Sequence, residues 1–233
     1  MEKILFFIPA RGNSKGLPRK NIRLMASKPL IAWTIEAALQ SGIKGRVVVS
    51  TDSAEISEIA VKYGAEVPAL RPAELALDKT PTMDVVFDFL KKEKVNGYVP
   101  ETIVILQPTS PLRTAKHISK ALDFFNKSGF QSVVSVCEVE HHPYWSNTLP
   151  PNLSMDSFLK REVIGKGRQD FPPFYRINGA IYIANVATLE KDISVIYGKG
   201  GAAYIMDSSS SVDIDTEEDF LYAEWLLNRN LKK

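Results

Sequence analysis

Four basic side chains and two glycines lie close together between residues 10 and 21. The basic residues are Arg11, Lys15, Arg19 and Lys20, and the glycines are Gly12 and Gly16. Arginine and lysine donate hydrogen bonds to phosphoryl oxygens and neutralise their charge, while glycine lets the backbone approach a ligand closely. The spacing matches neither the Walker pattern nor the dinucleotide fingerprint. The segment predicts a polyphosphate-binding loop of another type, and an ordinary basic surface turn is the alternative.

Asp213 and Asp215 are two residues apart and alternate with the apolar Val212 and Ile214. This alternation predicts a strand over residues 211–215 with both carboxylates on one face. Adjacent carboxylates repel one another unless a cation joins them, and Mg²⁺ commonly takes one or two protein carboxylates plus substrate phosphates. We therefore expect a magnesium site here. Alternatively, these acidic residues only favour the positive end of the following helix dipole.

A third polar segment, residues 107–113, follows a predicted strand and includes Gln107, Ser110 and Arg113. Prolines at positions 108 and 111 restrict its backbone shape. It predicts ligand contacts, although serine and threonine also satisfy backbone groups in plain strand-to-helix turns. Asp52 closes another predicted strand, where it is either a turn residue or a ligand contact.

Two further basic segments, residues 168–170 and 176–179, could hold a substrate carboxylate through their arginines. Each arginine could equally be an ordinary surface residue. His141 and His142 have no cysteine or histidine partner at a metal-binding spacing, so a zinc site is not expected.

The elements that must position these residues alternate between apolar strands and amphipathic helices. Predicted strands cover residues 4–8, 47–52, 102–106, 132–136, 180–184 and 211–215, with a short extended piece at 66–70. Predicted helices cover residues 29–40, 55–63, 82–92, 115–126 and 217–227. Such alternation predicts an α/β fold with a mostly parallel sheet, in which ligands bind beyond the carboxyl ends of the strands.

Residues 138–176 interrupt this pattern with five prolines and no long apolar period. The segment contains the aromatic residues Tyr144, Trp145, Phe158, Phe171, Phe174 and Tyr175. So many aromatic side chains predict packing against another surface, such as a second subunit. The alternative is an arm folded on its own domain.

With 233 residues, the chain is predicted to form one large domain. Its net charge of +2 argues against a nucleic-acid binder with a broad basic face. Neither a membrane-spanning apolar run nor a signal peptide is visible, so we expect a cytoplasmic protein. Cys137, the single cysteine, is expected to be a structural strand residue.

Taken together and in order, the motifs resemble the CMP-sialic acid synthetases, which are the N-acylneuraminate cytidylyltransferases. They are ARGNSKGLP (10–18), VSTD (49–52), LRPAELA (70–76), LQPTSPLR (106–113), EHHP (140–143), NGAIYI (178–183) and DIDTE (213–217). The resemblance implies a Rossmann-like nucleotidyltransferase fold over residues 1–233, with a mostly parallel central sheet and an inserted dimerisation arm at about 140–175. It also implies transfer of CMP from CTP to the anomeric 2-hydroxyl of N-acetylneuraminic acid by a Mg²⁺-dependent homodimer.

The resemblance further implies roles for individual residues. The nucleotide-binding set is Ala10, Arg11, Gly12, Asn13, Ser14, Lys15, Lys20, Asp52 and Arg71, with Arg71 near the cytosine. The sugar-binding set is Gln107, Ser110, Arg168, Gln169 and Asn178, and the metal ligands are Asp213 and Asp215. Catalysis would rest on Asp213, Asp215, Arg11 and Lys15. A carboxylate of the Asp213/Asp215 pair is the nearest proton acceptor for the attacking hydroxyl.

One position departs from the sialate pattern, because Gly12 lies where many family members carry glutamine or another side chain. Synthetases for legionaminic or pseudaminic acid share the phosphate and metal motifs, so these motifs do not identify the sugar. The Arg168-Gln169 pair favours N-acetylneuraminate, and transfer to another nonulosonic acid is the alternative. A non-catalytic nucleotide-binding protein is an alternative of another class.

Overall fold

The computed structural model describes residues 3–14 and 16–231, which form an α/β fold around one six-stranded sheet. The strands are β1 Ile4–Pro9, β2 Leu24–Met25, β3 Lys28–Pro29, β4 Arg46–Ser50, β5 Thr102–Ile105, β6 Ser132–Glu138, β7 Tyr175–Asn185 and β8 Gly201–Ile205. The helices are α1 Leu30–Leu39, α2 Ala54–Lys62, α3 Thr82–Val95, α4 Ala115–Ser128, α5 Val186–Lys191 and α6 Glu217–Leu231. Strands β2 and β3 form a separate hairpin.

The large sheet has the strand order β4-β1-β5-β7-β6-β8. Strand β1 pairs in parallel with β4 and β5, and β6 pairs in parallel with β8. Only β7 runs antiparallel to its neighbours β5 and β6. The expectation of a mostly parallel sheet is therefore confirmed. The loops that follow β1, β4 and β5 leave the same edge of the sheet, and β7 begins at that edge.

Strand β1 is buried on both faces, as its continuous apolar sequence predicts. Phe6 and Ile8 pack under α1, α2 and α4, while Leu5 and Phe7 pack under α3 and α5. A third cluster lies beneath α6 and includes Ile214. Because helices cover both faces, the polar loops collect at the ends of the strands.

The prediction of a strand over residues 211–215 is wrong. This segment is irregular, and Ile214 is tied to the loop after β5 by its backbone N–H, which donates to the Thr109 carbonyl at 2.9 Å. The last strand is instead β8, whose sequence does not alternate strongly enough to predict it. As an edge strand, β8 buries Ala202 and Tyr204 only partly and leaves Ile205 exposed. Of the extended piece predicted at 66–70, only Glu66 forms a bridge, to Val48.

Residues 139–174 form an arm without regular strands or α-helices. Its centre is the buried His142 ring, whose Nε2 lies 3.3 Å from the Pro172 carbonyl. Four aromatic rings surround this histidine: Tyr144, Trp145, Phe171 and Phe174. Much of the predicted aromatic surface is thus used inside the arm itself. Tyr144 and Trp145 remain partly exposed.

The junction between arm and sheet contains an ion pair. Arg176, in β7, donates two hydrogen bonds to the Glu140 carboxylate, at 3.0 and 2.6 Å. These bonds lower the pKa of Glu140. The pair therefore stabilises the folded state above the ordinary glutamate pKa, and this stabilisation is lost as the pH falls through the lowered value.

We expect Glu140→Gln to lower the free energy of unfolding at neutral pH by less than about 1 kcal/mol, because the pair is half exposed. In acid, at about pH 3, the two proteins should differ less, because the wild-type carboxylate becomes protonated. Urea unfolding at both pH values measures the difference. A deficit of equal size at both would mean that Glu140 acts through packing rather than charge.

Candidate active site

A cavity of about 310 Å³ opens at the carboxyl edge of β1 and β5. Its walls come from the loop after β1, the segment before α3, the loop after β5 and the segment before α6. The lining residues are Pro9, Arg11, Ser14, Lys20, Asn21, Arg71, Leu75, Leu77, Asp78, Thr80, Thr82, Val85, Gln107, Pro108, Thr109, Asp213 and Asp215. Arg11, Ser14 and Lys20 of the basic loop therefore line the same cavity as both aspartates.

One hydrogen bond to the segment after β4 and one within the loop itself hold the basic loop in place. The Gly12 N–H donates to Asp52 Oδ1 at 2.8 Å, and Asn21 Nδ2 donates to the Arg11 carbonyl at 2.9 Å. Asp52 thus acts on the loop backbone and does not line the cavity. Gly16 packs so closely that a Cβ atom there would lie 2.3 Å from the Asp215 carbonyl oxygen. Glycine at this position lets the loop lie directly against the acidic segment.

The cations of the loop have different partners. Arg11 lines the cavity and forms an ion pair with Asp78 at 2.8 Å. Arg19 instead turns outward and forms two hydrogen bonds to Glu55. Lys15 lies outside the described residues. Lys20 is buried, with its Nζ bonded to the Ile214 carbonyl and 3.2 Å from Asp215 Oδ1.

The two aspartates lie in different environments. Asp213 is partly buried, and this burial raises the pKa of its carboxyl group. A hydrogen bond from Thr109 opposes the shift, while the nearby charge of Asp215 adds to it. Asp215 is exposed and faces Lys20. The segment leads into α6 through a cap, since Asp219 accepts hydrogen bonds from the backbone and hydroxyl of Thr216, and the Asp219 N–H bonds back to that hydroxyl.

The Gln107 side chain lies against the backbone of Gly179, in the first half of β7. Gly179 has a φ of +74°, and a Cβ atom there would be 2.8 Å from Gln107 Oε1 and 3.3 Å from Asp213 Oδ2. A larger residue at this position would be strained and would press on both polar side chains. Gly179 therefore lets an amide and a carboxylate lie close together at the cavity wall.

Arg71 forms another part of the cavity wall. The guanidinium of Arg71 donates to the carbonyl and hydroxyl oxygens of Ser50 at the end of β4, and the backbone N–H of Arg71 donates to the Thr51 carbonyl at 2.7 Å. Burial lowers the pKa of this guanidinium, while the carboxylate of Asp52 opposes the shift. Hydrogen bonds thus hold the side chain against the end of β4.

Several predicted site residues lie away from this cavity. Ala10 is buried and Asn13 is exposed, and neither lines the cavity. Ser110 and Asn178 are completely buried. The Asn178 side chain bonds to the hydroxyls of Ser135 and Ser211, at 2.6 and 2.8 Å, in a network that joins β6, β7 and the segment before α6.

Arg168 and Gln169 line a separate cavity of about 370 Å³ in the arm. The Arg168 guanidinium donates to Glu138 Oε1 at 2.8 Å and to the Val139 carbonyl at 3.0 Å. The sequence assigns both residues to the sugar-binding set together with Gln107, but in the structure they line a different cavity from Gln107.

Several wall residues have no role predicted from the sequence. Asn21, Leu75, Leu77, Asp78, Thr80, Thr82, Val85 and Thr109 line the cavity without a predicted role. Asn21 and Thr109 belong to motifs already recognised as polar loops, so their position offered a signal. Most of the others lie in residues 75–82, which have no distinctive pattern of charge or spacing.

The family described as cytidylyltransferase matches residues 5–223 of the chain. A CMP-N,N'-diacetyllegionaminic acid synthase of Legionella pneumophila is 40% identical over 98% of this chain and 97% of its own. An N-acylneuraminate cytidylyltransferase of Streptococcus agalactiae serotype III is 39% identical over 94% of this chain. The chain spans about half the length of that relative, 52%.

Solved structures have the same fold at low sequence identity. A CMP:2-keto-3-deoxy-manno-octonic acid synthetase complexed with CTP has a TM-score of 0.72 and 15% identity, covering 98% of this chain and 100% of its own. A 4-diphosphocytidyl-2C-methyl-D-erythritol synthase from Anaerococcus prevotii has a TM-score of 0.64 and 15% identity, covering 98% and 99%.

Proposed function

Because the chain belongs to the cytidylyltransferase family, we propose that it transfers CMP from CTP to the anomeric 2-hydroxyl of a nonulosonic acid and releases pyrophosphate. The observation that carries this proposal is a single cavity in which basic, acidic and amide side chains meet. The relatives named above are synthases or transferases of two such acids, which supports this class of acceptor.

The basic loop would bind the triphosphate. Arg11 already faces the cavity, where its partner is the Asp78 carboxylate. A phosphate group would replace that carboxylate as the partner of Arg11, because a triphosphate carries more negative charge and more acceptor oxygens. Lys15 belongs to the same proposed set on sequence grounds. Arg71 would lie at the cytosine end, since it is fixed to the β4 edge of the cavity.

Asp213 and Asp215 would hold Mg²⁺. The two carboxylates interact unfavourably, because the charge of Asp215 raises the pKa of Asp213, and a cation between them would relieve this repulsion. Among the described residues, no group of three or more His, Cys, Asp and Glu side chains could hold a metal. Phosphate oxygens would therefore complete the ligand set, as is usual for this ion. When bound, Mg²⁺ supplies stabilisation of the charge on the phosphates.

Lys20 would position the acidic segment as well as meet the nucleotide. Its Nζ is bonded to the Ile214 carbonyl and lies beside Asp215, so it holds the backbone between the two carboxylates. The proton of the attacking hydroxyl would pass to a carboxylate of the Asp213/Asp215 pair, directly or through a water molecule, because both carboxylates line the cavity.

The acceptor would bind beside Gln107, whose amide lies near Asp213 across Gly179. Arg168 and Gln169 remain predicted acceptor contacts, although they line the arm cavity. N-acetylneuraminic acid is our first candidate acceptor, on the strength of the Arg168-Gln169 motif. A legionaminic acid derivative is the second, because the Legionella relative matches this chain over nearly the whole length of both.

We also propose that residues 1–233 form one domain and that the arm at about 140–175 joins two copies into a homodimer. Exposed apolar side chains on the arm support this proposal, namely Leu149, Leu153, Met155 and Ile164. Light scattering should give the mass of a dimer, and a monomer mass at working concentration would refute the proposal.

The structure contains no helix, among its described residues, that is both long and apolar enough to cross a bilayer. A cytoplasmic location stays a prediction.

Release of pyrophosphate from CTP tests the proposed function. The protein is incubated with CTP and Mg²⁺ and, in parallel, with N-acetylneuraminate, legionaminate derivatives, pseudaminate derivatives or 3-deoxy-octulosonate, with and without chelator. We expect chelator-sensitive release that is fastest with N-acetylneuraminate. A preference for another of these acids would change the acceptor within the family, and silence with every acid would favour a non-catalytic nucleotide-binding protein.

Asp213→Asn should raise stability while it removes activity. Burial raises the pKa of Asp213, so its charged form disfavours folding at neutral pH and asparagine removes that penalty. The gain in the free energy of unfolding should disappear in acid, where the wild-type carboxyl group is protonated in both states. We expect turnover to fall by about 100-fold or more.

Asp215→Ala should also lose most of its turnover. Asp123→Asn, on the exposed face of α4, is the matched control and should keep wild-type activity. Denaturant unfolding at two pH values and pyrophosphate release measure both properties. Full activity in both single variants, Asp213→Asn and Asp215→Ala, would overturn the metal assignment.

A further inference from the structure

Arg113, at the end of the loop after β5, is a buried arginine with 2% exposure. Its Nη1 donates to the carbonyls of Gln107 at 3.0 Å and Ala180 at 2.8 Å, and its Nη2 donates to the Thr34 hydroxyl on α1. The side chain therefore joins three parts of the fold: the loop after β5, strand β7 and helix α1.

This guanidinium has no carboxylate partner among the ion pairs of residues 3–14 and 16–231. In the same described set, its Nε is the one buried side-chain nitrogen or oxygen without a hydrogen bond. Burial lowers the pKa of Arg113 to about 9, so the group remains charged at neutral pH. A buried charge paired only with neutral oxygens is costly to folding. A smaller apolar residue would avoid that cost, so the presence of an arginine at this buried position needs a physical explanation.

The two carbonyls that Arg113 binds belong to the cavity wall. Gln107 carries the amide that faces the cavity, and Ala180 directly follows Gly179, against which that amide lies. With one nitrogen, Arg113 thus sets the separation between the Gln107 backbone and the β7 backbone. A fork of fixed, planar geometry suits this task better than a flexible ammonium group.

The loop after β5 is also hydrogen-bonded to the acidic segment, residues 213–215. The Thr109 carbonyl accepts from the Ile214 N–H at 2.9 Å, and the Thr109 side chain hydrogen-bonds to Asp213. A shift of residues 107–109 relative to β7 would therefore move Gln107 and Asp213 with respect to Gly179. Small displacements of this kind change rates strongly, by up to about 100-fold for about 1 Å.

We propose that Arg113 is a positioning residue for the acceptor, which locks the loop after β5 onto β7 and thereby holds the Gln107 amide against the acceptor. The proposal rests on the proposed function, because it assumes that an acid binds beside Gln107. Arg113 itself touches neither substrate, since it lies behind the wall and outside the set of lining residues.

Arg113→Lys tests the proposal in the full chain, because it keeps the charge but cannot reproduce the fork. We expect kcat/KM for the acceptor to fall at least about tenfold, mainly through a higher KM for the acid, while KM for CTP changes less than about threefold. Thr34→Val removes only the third contact and should raise the acceptor KM less. If Arg113→Lys folds poorly, Thr34→Val provides a second test of the proposal.

Combining Arg113→Lys with Gln107→Ala tests whether Arg113 acts through Gln107. If Arg113 acts through Gln107, the added lysine substitution should change acceptor kcat/KM by less than about twofold in the Gln107→Ala background. Arg46→Lys is the matched control, since Arg46 also makes several hydrogen bonds but lies on the outer strand β4. It should leave both KM values unchanged, whatever its effect on stability.

An unchanged acceptor KM in Arg113→Lys would overturn the proposal, as would equal increases in both KM values or additive effects in the double variant. A loss of activity that merely followed the folded fraction, measured by thermal unfolding, would also overturn it. Failure of the proposed function is distinguishable, because the wild-type protein would then release no pyrophosphate with any acid.

Discussion

The antiparallel pairing of β7 between β5 and β6 is the interaction on which the site depends. Register places Ile105 opposite Tyr182, so Gln107 meets the backbone of Gly179 just beyond the end of β5. In a parallel arrangement, the amino end of β7 would lie at the opposite edge of the sheet. The reversal therefore brings a glycine, with its open space, to the edge where the polar loops collect.

Three contacts then tie the loops at that edge into one unit. Gly16 lies against the Asp215 backbone, Lys20 binds the Ile214 carbonyl, and Thr109 binds Ile214 through backbone and Asp213 through its side chain. Each contact joins segments nearly 200 or about 100 residues apart in the chain. Packing of Ile214 beneath α6 holds the shared segment from below, and its two neighbouring carboxylates face the cavity.

Two basic side chains at the site are paired with carboxylates, and a charged substrate would have to replace these carboxylates as partners. Arg11 with Asp78 and Lys20 with Asp215 are ion pairs at the cavity. Arg113 differs, because two carbonyl oxygens and the Thr34 hydroxyl are the hydrogen-bond partners of its guanidinium, and it does not line the cavity. The site thus combines charges that line the cavity with one buried charge behind the wall that holds neighbouring segments in place. Burial of the Arg113 and Asp213 charges lowers the stability of the folded protein, and both side chains help to fix the geometry of the cavity wall.

Local patterns in the sequence determined the strands of the sheet interior, the main helices, the basic loop and the acidic pair, because apolar period and charge spacing act over a few residues. The order of motifs also indicated the family. Tertiary structure alone decided that residues 211–215 are not a strand, that β8 is one, that Asn178 and Ser110 are buried, and that Arg168 lines a different cavity from Gln107. Burial and pairing at these positions depend on partners distant in the chain, and no local pattern contains them.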